Sequence, residues 1–498
     1  MAKPGFNAGF ALPAQLDPEA IARAAAPHPA HGATAPRLVE LDLLRGLAIL
    51  GMALSGMVPR GVLPEWMYHA QLPPPAHAFD PARPGITWVD LVFPFFLFAM
   101  GAAMPLSLGA RLSAGVPPAR VAIDVFIRTI VLAAFALYVQ HINPWLIEAN
   151  PSAGTWLIAF LGFAMLFPAL ARLPRNWPAA LQAAIRIAGW GGCIALCASL
   201  RFADGTGWRL TRSDIIIVVL TNTWLFGAMI WLLSRDFVPL RLGLMIALIA
   251  FRLSHESPGW IQDAWNWTPA PWIFTPYYLQ YLMIVLPGTI VGELFLRRAG
   301  EPPVVSTAGS RILAAGALIG SFALCANTLI VMGRANDPLS RYSLLMTCFT
   351  VCGAAVGLRG VSDPFLGRVA GWGALWFVVG LLFEPLEGGI KKDPSNLCYY
   401  FVTSGLATFT LLALWIAARS SIFVRCTSWV AQTGANPIVA YVAIRNLIPP
   451  MLALTGIEAA AGSAFVEPWP RAAWALAKTM LLAGLIAYLT RRRIFFRA

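Results

Sequence analysis

The chain has 498 residues, of which 58% are hydrophobic and only 12% are charged, and its mean hydropathy is +0.68. Soluble domains carry about 25% charged residues, so this composition excludes an ordinary soluble protein. Apolar stretches of about 20 residues, the length that crosses a bilayer as a helix, recur along the chain. They are continuously apolar and do not alternate with polar residues, which excludes a membrane β-barrel. The sequence therefore predicts an all-α polytopic membrane protein, a transmembrane helical bundle.

The formal net charge of +13 does not indicate a nucleic-acid partner. Lys and Arg occur in short loops between apolar stretches, with neither a basic stripe nor a nucleic-acid-binding motif. Such a distribution is typical of the cytoplasmic loops of a membrane protein. The seven cysteines lie mostly within or beside apolar stretches and form no Cys-x-x-Cys pair, so they indicate buried core residues. No metal site is predicted.

Residues 1–36 are rich in Ala and Pro and lack a long apolar segment, which predicts a disordered cytoplasmic tail. The rest of the chain, 37–498, is predicted to form one membrane domain of 12 to 14 spans. The predicted spans begin near residues 41, 88, 121, 156, 180, 215, 238, 278, 312, 342, 369, 397, 430 and 473. With an even number of spans, the arginine-rich loops and both termini are cytoplasmic. The chain is thus predicted to be a multi-pass protein of the bacterial inner membrane.

The loop 59–87 then faces outward and carries two histidines, His69 and His77. It leads directly into the second span, which opens with Trp88, Val89 and Asp90. The unperturbed pKa of histidine is about 6.5, so an imidazole here could act as a general base or nucleophile near neutral pH. A carboxylate such as Asp90 could fix its tautomer. The alternative is a pair of solvated histidines, with Asp90 capping its helix.

Other ionisable residues lie at the ends of apolar stretches. Asp42 and Arg45 are three positions apart on one helix, and Arg128 lies in the third span. Ionisable groups in such places pair with each other or line a cavity, so structural pairing and anionic-ligand binding both remain open. Lys392 lies in a predicted outward loop, against the usual charge distribution. It could hold a polar substrate or belong to a solvated loop.

Four stretches of the chain carry a resemblance to a known family. They are RLVELDLLRGLAILGMALSGM at 37–57, GITWVDLVFPFFLFAMGAAMPLSL at 85–108, GGIKKDPSNLCYYFVTSGLA at 388–407, and GANPIVAYV at 434–442 together with RRRIFFRA at 491–498. They resemble the heparan-alpha-glucosaminide N-acetyltransferase family, in particular its bacterial branch. The second stretch is the most specific. The middle of the chain, about 150–275, has no counterpart in the resemblance.

The resemblance implies a membrane enzyme that uses cytoplasmic acetyl-CoA to acetylate an amino sugar or glycan on the far side of the membrane. The family's key histidine follows an aromatic-rich segment, and Trp66-x-x-His69-Ala70 matches that context best. Asp90 would orient His69, and His77 lies in a loop insertion and remains a second candidate. A homodimer is one candidate assembly.

The same resemblance suggests roles for residues farther along the chain. Acetyl-CoA would enter from the cytoplasm, its phosphates attracted to Arg45 and Arg128, with Asp42 beside Arg45. The acceptor would be held by Trp66, Lys392 and Asn446.

Two other functions remain open. A transporter or flippase of a sugar-linked or amphipathic substrate would also show many spans and helices broken by Gly and Pro. A structural subunit of an envelope-polymer assembly would need no catalytic histidine.

Overall fold

Helices account for nearly all the regular structure of the protein. The computed structural model describes residues 38–496 except 62, 175, 300–307, 334–337 and 362, so the tail predicted for residues 1–36 lies outside the described residues. Within that part of the chain there is no β-strand, only two isolated β-bridges. The α-helices, in chain order, are α1 (Val39–Met57), α2 (Trp88–Ser113), α3 (Pro118–His141), α4 (Pro144–Ile147), α5 (Ala153–Leu170), α6 (Ala179–Ser199), α7 (Ile215–Ser234), α8 (Val238–Leu253), α9 (Trp260–Trp265), α10 (Leu282–Ala299), α11 (Ala308–Gly333), α12 (Pro338–Val361), α13 (Pro364–Phe383), α14 (Leu397–Ala417), α15 (Ser421–Gly434), α16 (Pro437–Asn446), α17 (Ile448–Leu454), α18 (Ile457–Ala464) and α19 (Pro468–Arg491).

Twelve helical segments among the described residues are long and apolar enough to cross a membrane. Two more helices differ from these only in charge or length: α1 carries Glu40, Asp42 and Arg45 in its first two turns, and α8 has only 16 residues. The prediction of an all-α polytopic bundle with 12 to 14 spans is therefore confirmed. The cytoplasmic location of the termini stays a prediction.

The bundle is built around α14, which is buried along almost its entire length. Helix α2, which carries Asp90, packs closely against α10 through small residues. A Cβ atom added at Gly101 would lie 2.1 Å from the carbonyl oxygen of Val285, and one added at Gly288 would lie 2.4 Å from that of Phe98. Small residues let the backbones of membrane helices approach each other in this way. The helix that carries the candidate site is thus held at the centre of the bundle.

The predicted start of one span, near residue 430, is wrong. Helix α15 ends at Gly434, and the membrane-crossing segment is Pro437–Leu454. The break occurs because Pro437 has no backbone N–H and begins a new helix at its first position, where that group is not needed. Asn436, between the two helices, donates its side-chain amide to the carbonyl of Ile494, 2.7 Å away.

Two loops meet at one end of the bundle. We call residues 59–87 the histidine loop and residues 384–396 the lysine loop. The backbone N–H of Gly85 donates to the carbonyl of Ile390 at 2.7 Å, which joins the two loops. Within the histidine loop, the Tyr68 hydroxyl donates to the carbonyl of Pro59 at 2.6 Å. These contacts fix the positions of residues that are far apart in the sequence.

Candidate functional site

The first turn of α2 brings His69 and Asp90 together. Thr87 caps the helix, and its backbone N–H donates to Oδ2 of Asp90 at 2.9 Å, which completes a capping box. The backbone N–H of Ala70 donates to the same oxygen at 3.2 Å. The other carboxylate oxygen, Oδ1, lies 2.8 Å from Nδ1 of His69. Asp90 is fully buried, whereas about a third of the His69 side chain is exposed.

This arrangement determines which nitrogen of His69 carries the proton. An ionised carboxylate only accepts hydrogen bonds, so Nδ1 of His69 donates to Asp90. Negative charge is also favoured at the N-terminus of a helix, where Asp90 lies. Nε2 is then the nitrogen with the free lone pair, which is the form that a general base or a nucleophile requires.

Lys392 of the lysine loop is the third member of the cluster. Its Nζ lies 3.0 Å from Nδ1 and 3.4 Å from Nε2 of His69, and 3.8 Å from Oδ1 of Asp90. Because Nδ1 already gives its single proton to Asp90, the ammonium acts on the ring as a neighbouring positive charge. The structure thus brings together three predicted residues that are separated by up to 323 positions.

The start of α14 holds both loops in place. Asn396 caps this helix by accepting the N–H of Tyr399, and its Oδ1 also accepts the N–H of Lys391 at 3.2 Å. The Tyr399 hydroxyl donates to the backbone carbonyl of Asp90 at 2.7 Å. The first turn of α14 therefore fixes the first turn of α2 and the segment carrying Lys392.

His69 faces a cavity of about 390 Å³. One wall consists of the histidine loop, including Trp66 and the ion pair between Arg83 and Glu65, whose closest N–O distance is 2.8 Å. The opposite wall is the end of α11, lined by Ala326, Leu329, Ile330 and Gly333. Trp66 is 56% exposed at the edge of the cavity. Trp66 thus lines the same cavity as His69, and its role in holding the acceptor stays a prediction.

A second cavity, of about 480 Å³, lies on the other side of Pro84, which lines both. Its walls are mainly apolar side chains of α12 and α13, among them Leu345 and Leu381. Arg341 and Glu384 form an ion pair at this cavity, with a closest distance of 3.2 Å. Of these two cavities His69 lines only the first, and Lys392 lines neither, so Lys392 belongs to the cluster through His69 and Asp90.

The second predicted histidine, His77, holds the loop together instead of joining the cluster. Its Nε2 accepts the backbone N–H of Gly61 at 2.8 Å, and its Nδ1 lies 3.1 Å from the carbonyl of Leu72. Its ring packs edge-on against Tyr68, with ring centroids 4.5 Å apart. Both ring nitrogens are occupied by backbone groups, so neither is left for proton transfer.

Asn446 is not brought to the cavity. It is 1% exposed, and its side-chain amide donates to the carbonyl of Ile142 at 2.7 Å, which joins α16 to the end of α3. The neighbouring Arg445 lies 3.5 Å from Asp214. This position corrects the expectation that Asn446 holds the acceptor.

The three residues predicted to attract acetyl-CoA do not line the cavity either. Arg45 lies 3.3 Å from Asp42, as their spacing on α1 predicts, and it donates to the carbonyl of Gly434 at 3.4 Å. The Arg128 guanidinium stacks over the Trp224 ring at 4.3 Å. Arg45 is 12 residues before the end of α1, and hence about 18 Å from the end that joins the histidine loop.

Sequence reasoning missed Thr87 and Tyr399 as parts of the site. The Thr87-x-x-Asp90 spacing is a capping-box pattern and could have revealed the first of these. No local sequence pattern could indicate that Tyr399 belongs to the site, because its partner Asp90 is 309 positions away. Among the described residues, no group of three or more His, Cys, Asp or Glu side chains is placed to hold a metal ion.

A family model matches the part of the chain that contains His69 and Asp90. Residues 37–295 match the family model described as "Domain of unknown function (DUF5009)". No curated protein matches the chain. Lys392 lies outside the matched residues. Since the match covers just over half of the 498 residues, the chain belongs to the DUF5009 family.

Proposed function

We propose that this protein is a membrane acyltransferase that moves an acetyl group from acetyl-CoA to the amine of an amino sugar or glycan. The observation that carries the proposal is the His69–Asp90 pair beside a cavity of about 390 Å³. In acyl transfer, a histidine held by a buried carboxylate supplies a base with a fixed tautomer. The reaction would occur at the outer face of the bacterial inner membrane.

His69 provides the proton transfer that the reaction needs. Nε2 takes a proton from the acceptor amine as its nitrogen attacks the thioester carbon, forming the C–N bond. The tetrahedral intermediate then collapses, the C–S bond breaks, and the CoA thiolate leaves with the proton from Nε2. In a second route, Nε2 itself attacks the thioester, the C–S bond breaks, and the CoA thiolate leaves from an acetyl-imidazolium. The amine then attacks the acetyl carbon, the bond from Nε2 to that carbon breaks, and the proton of the amine passes to the thiolate. The second route predicts ping-pong kinetics, and the first does not.

Lys392 supplies positive charge where negative charge develops. Its ammonium lies within 3.4 Å of both ring nitrogens of His69, so an acetyl group at Nε2 has its carbonyl oxygen close to this charge. Fixed charges and donors that meet a developing oxyanion typically contribute about 10²–10³ in rate. Arg45 and Arg128 remain the candidates for attracting the phosphates of acetyl-CoA from the opposite side of the bilayer.

The test is acetyl transfer by purified protein in lipid nanodiscs, from acetyl-labelled acetyl-CoA to a panel of amino sugars. His69→Ala should lower the rate by about 10²–10⁴-fold. His77→Ala is the matched control from the same loop, and it should retain transfer per folded molecule while lowering thermal stability. Loss of transfer in His77→Ala alone would contradict the assignment of His69. A wild-type protein that neither binds acetyl-CoA nor transfers acetyl to any acceptor would overturn the proposal, and ion-driven sugar-lipid flux would then indicate a transporter.

A further inference from the structure

The cavity beside His69 has two unlike walls. The wall from the histidine loop carries polar groups, namely the His69 ring and the Arg83–Glu65 ion pair. The wall from α11 presents only Ala326, Leu329, Ile330 and Gly333. Helix α11 is one of the twelve segments able to cross a membrane. The apolar wall therefore belongs to a helix able to cross the membrane, while the polar groups belong to the loop that joins α1 to α2.

The α11 wall of the cavity is itself exposed. Ile330 lines the cavity and is 56% exposed, and Ala326, one turn away on α11, is exposed as well. An exposed aliphatic side chain on a membrane-spanning helix faces hydrocarbon. Trp66, on the other side of the opening, belongs to a residue type that is enriched at the boundary between lipid and water. An opening between Ile330 and Trp66 would give a molecule in the bilayer access to the His69 ring.

From Ala326 to Gly333 the apolar wall extends over eight residues of α11, a rise of about 10 Å along the helix axis. A free sugar has no group that matches such a wall. An amphipathic molecule matches both walls, with its polar head beside His69 and its hydrocarbon chain along α11. A chain that stays in the bilayer also delivers the head group by lateral diffusion at a high local concentration.

We infer that the acceptor is an amino sugar joined to a hydrocarbon chain, which enters the cavity from the bilayer along α11. This inference rests on the proposed acyltransferase function for its reaction, but the binding of such a molecule is independent of it. The amine of the sugar lies at Nε2 of His69, and the chain lies against Leu329 and Ile330.

The probes are glucosamine and dodecyl glucosaminide, compared on the full-length protein in nanodiscs free of alkyl-glycoside detergent. Two measurements are made with each: the kcat/KM of acetyl transfer, and equilibrium binding in the absence of acetyl-CoA. The wild type should prefer dodecyl glucosaminide by about 100-fold or more, because partition into the bilayer concentrates it at the opening.

Ala326→Phe fills the opening and should weaken the binding of dodecyl glucosaminide by about tenfold or more, because the ring occupies the space of the chain. Ala315→Phe is the matched control: Ala315 is also exposed and lies on the same face of α11, 11 residues or about 16 Å away. It should leave binding unchanged. Leu345→Phe fills the neighbouring cavity and should also have no effect; a loss of binding in this variant would place the chain there and overturn the assignment.

The outcomes separate the two proposals. Equal transfer to both probes by the wild type would overturn this inference and leave the acyltransferase function intact. No transfer to either probe, with dodecyl glucosaminide still bound and displaced by Ala326→Phe, would overturn the acyltransferase function and support the lipid-linked ligand. Absence of any chain-dependent binding would overturn the inference whether or not transfer occurs.

Discussion

Replacing Asp90 by Asn should separate its role in the fold from its role in catalysis. Oδ2 of Asp90 accepts two backbone N–H groups, from Thr87 and Ala70, and Oδ1 accepts the proton of His69 Nδ1. The amide of Asn has one oxygen and one nitrogen to place at these two positions. If the nitrogen faced Thr87 and Ala70, two backbone donors would lose their acceptor. The oxygen therefore stays there, and the amide nitrogen faces His69.

That orientation reverses the tautomer of His69. Nδ1 now accepts a hydrogen bond from the amide, so the ring proton moves to Nε2 and the base is lost. We expect the rate of acetyl transfer to fall by about 10²–10⁴-fold. Because the capping interactions survive, stability should change little. Asp90→Ala instead leaves the N–H groups of Thr87 and Ala70 without acceptors, which should lower the free energy of unfolding by about 2–4 kcal/mol.

The assay combines single-turnover acetyl transfer with thermal unfolding of each variant in the same nanodiscs. Asp80→Asn is the matched control, since Asp80 is an exposed carboxylate of the same loop whose side chain accepts the N–H of Ala82 at 3.0 Å. It should leave both measurements unchanged. The reasoning is refuted if Asp90→Asn keeps a rate within tenfold of the wild type, or if Asp90→Asn and Asp90→Ala unfold at the same temperature.

Two further predictions concern charged groups. Lys392→Met keeps the length of the side chain without its charge and should lower the acetyl-transfer rate by about 10²–10³-fold. Lys392→Arg should recover part of that rate. A Met variant as fast as the wild type would contradict the role of the charge. The guanidinium of Arg241 is fully buried and lies 2.7 Å from Glu293. Glu293→Gln removes the counter-charge of Arg241 and should lower the free energy of unfolding by about 3–5 kcal/mol. In a double-mutant cycle, adding Arg241→Met to Glu293→Gln should recover part of that loss. If the effects of the two single variants on the free energy of unfolding simply added up, the result would argue against the pair.

Local sequence patterns predicted those parts of the fold and of the site that depend on residues close together in the sequence. Continuous apolar stretches predicted the spanning helices, and the three-residue spacing of Asp42 and Arg45 allowed a local pair, which is present. The pairing of His69 with Asp90 could also be predicted, because the loop returns directly to the helix that begins at Trp88. In each case the partners are close in sequence or joined by one short loop.

Long-range proximity could not be predicted in the same way. Lys392 and Asn446 were equally plausible as residues that hold the acceptor, yet only Lys392 reaches His69. The difference comes from the packing of whole helices: α14 contacts α2 through Tyr399 and Asp90, whereas Asn446 is directed to the end of α3. No pattern near either residue specifies which helices become neighbours, since that depends on close approaches such as that of Gly101 to α10.

The hydrogen bonds of Asp90 make the position of His69 independent of the length of the histidine loop. The backbone N–H groups of Ala70 and Thr87 both donate to one oxygen atom, Oδ2 of Asp90, so the two ends of the segment between them are fixed at the same point. His69 immediately precedes Ala70 and is held to the other oxygen. Residues 71–86, which include His77, lie between these two fixed ends, so a change in their number would leave the geometry of the His69–Asp90 pair unchanged. The spacing between the histidine and the carboxylate can therefore vary while the chemistry is kept, provided that the Thr-x-x-Asp cap of α2 is kept with it.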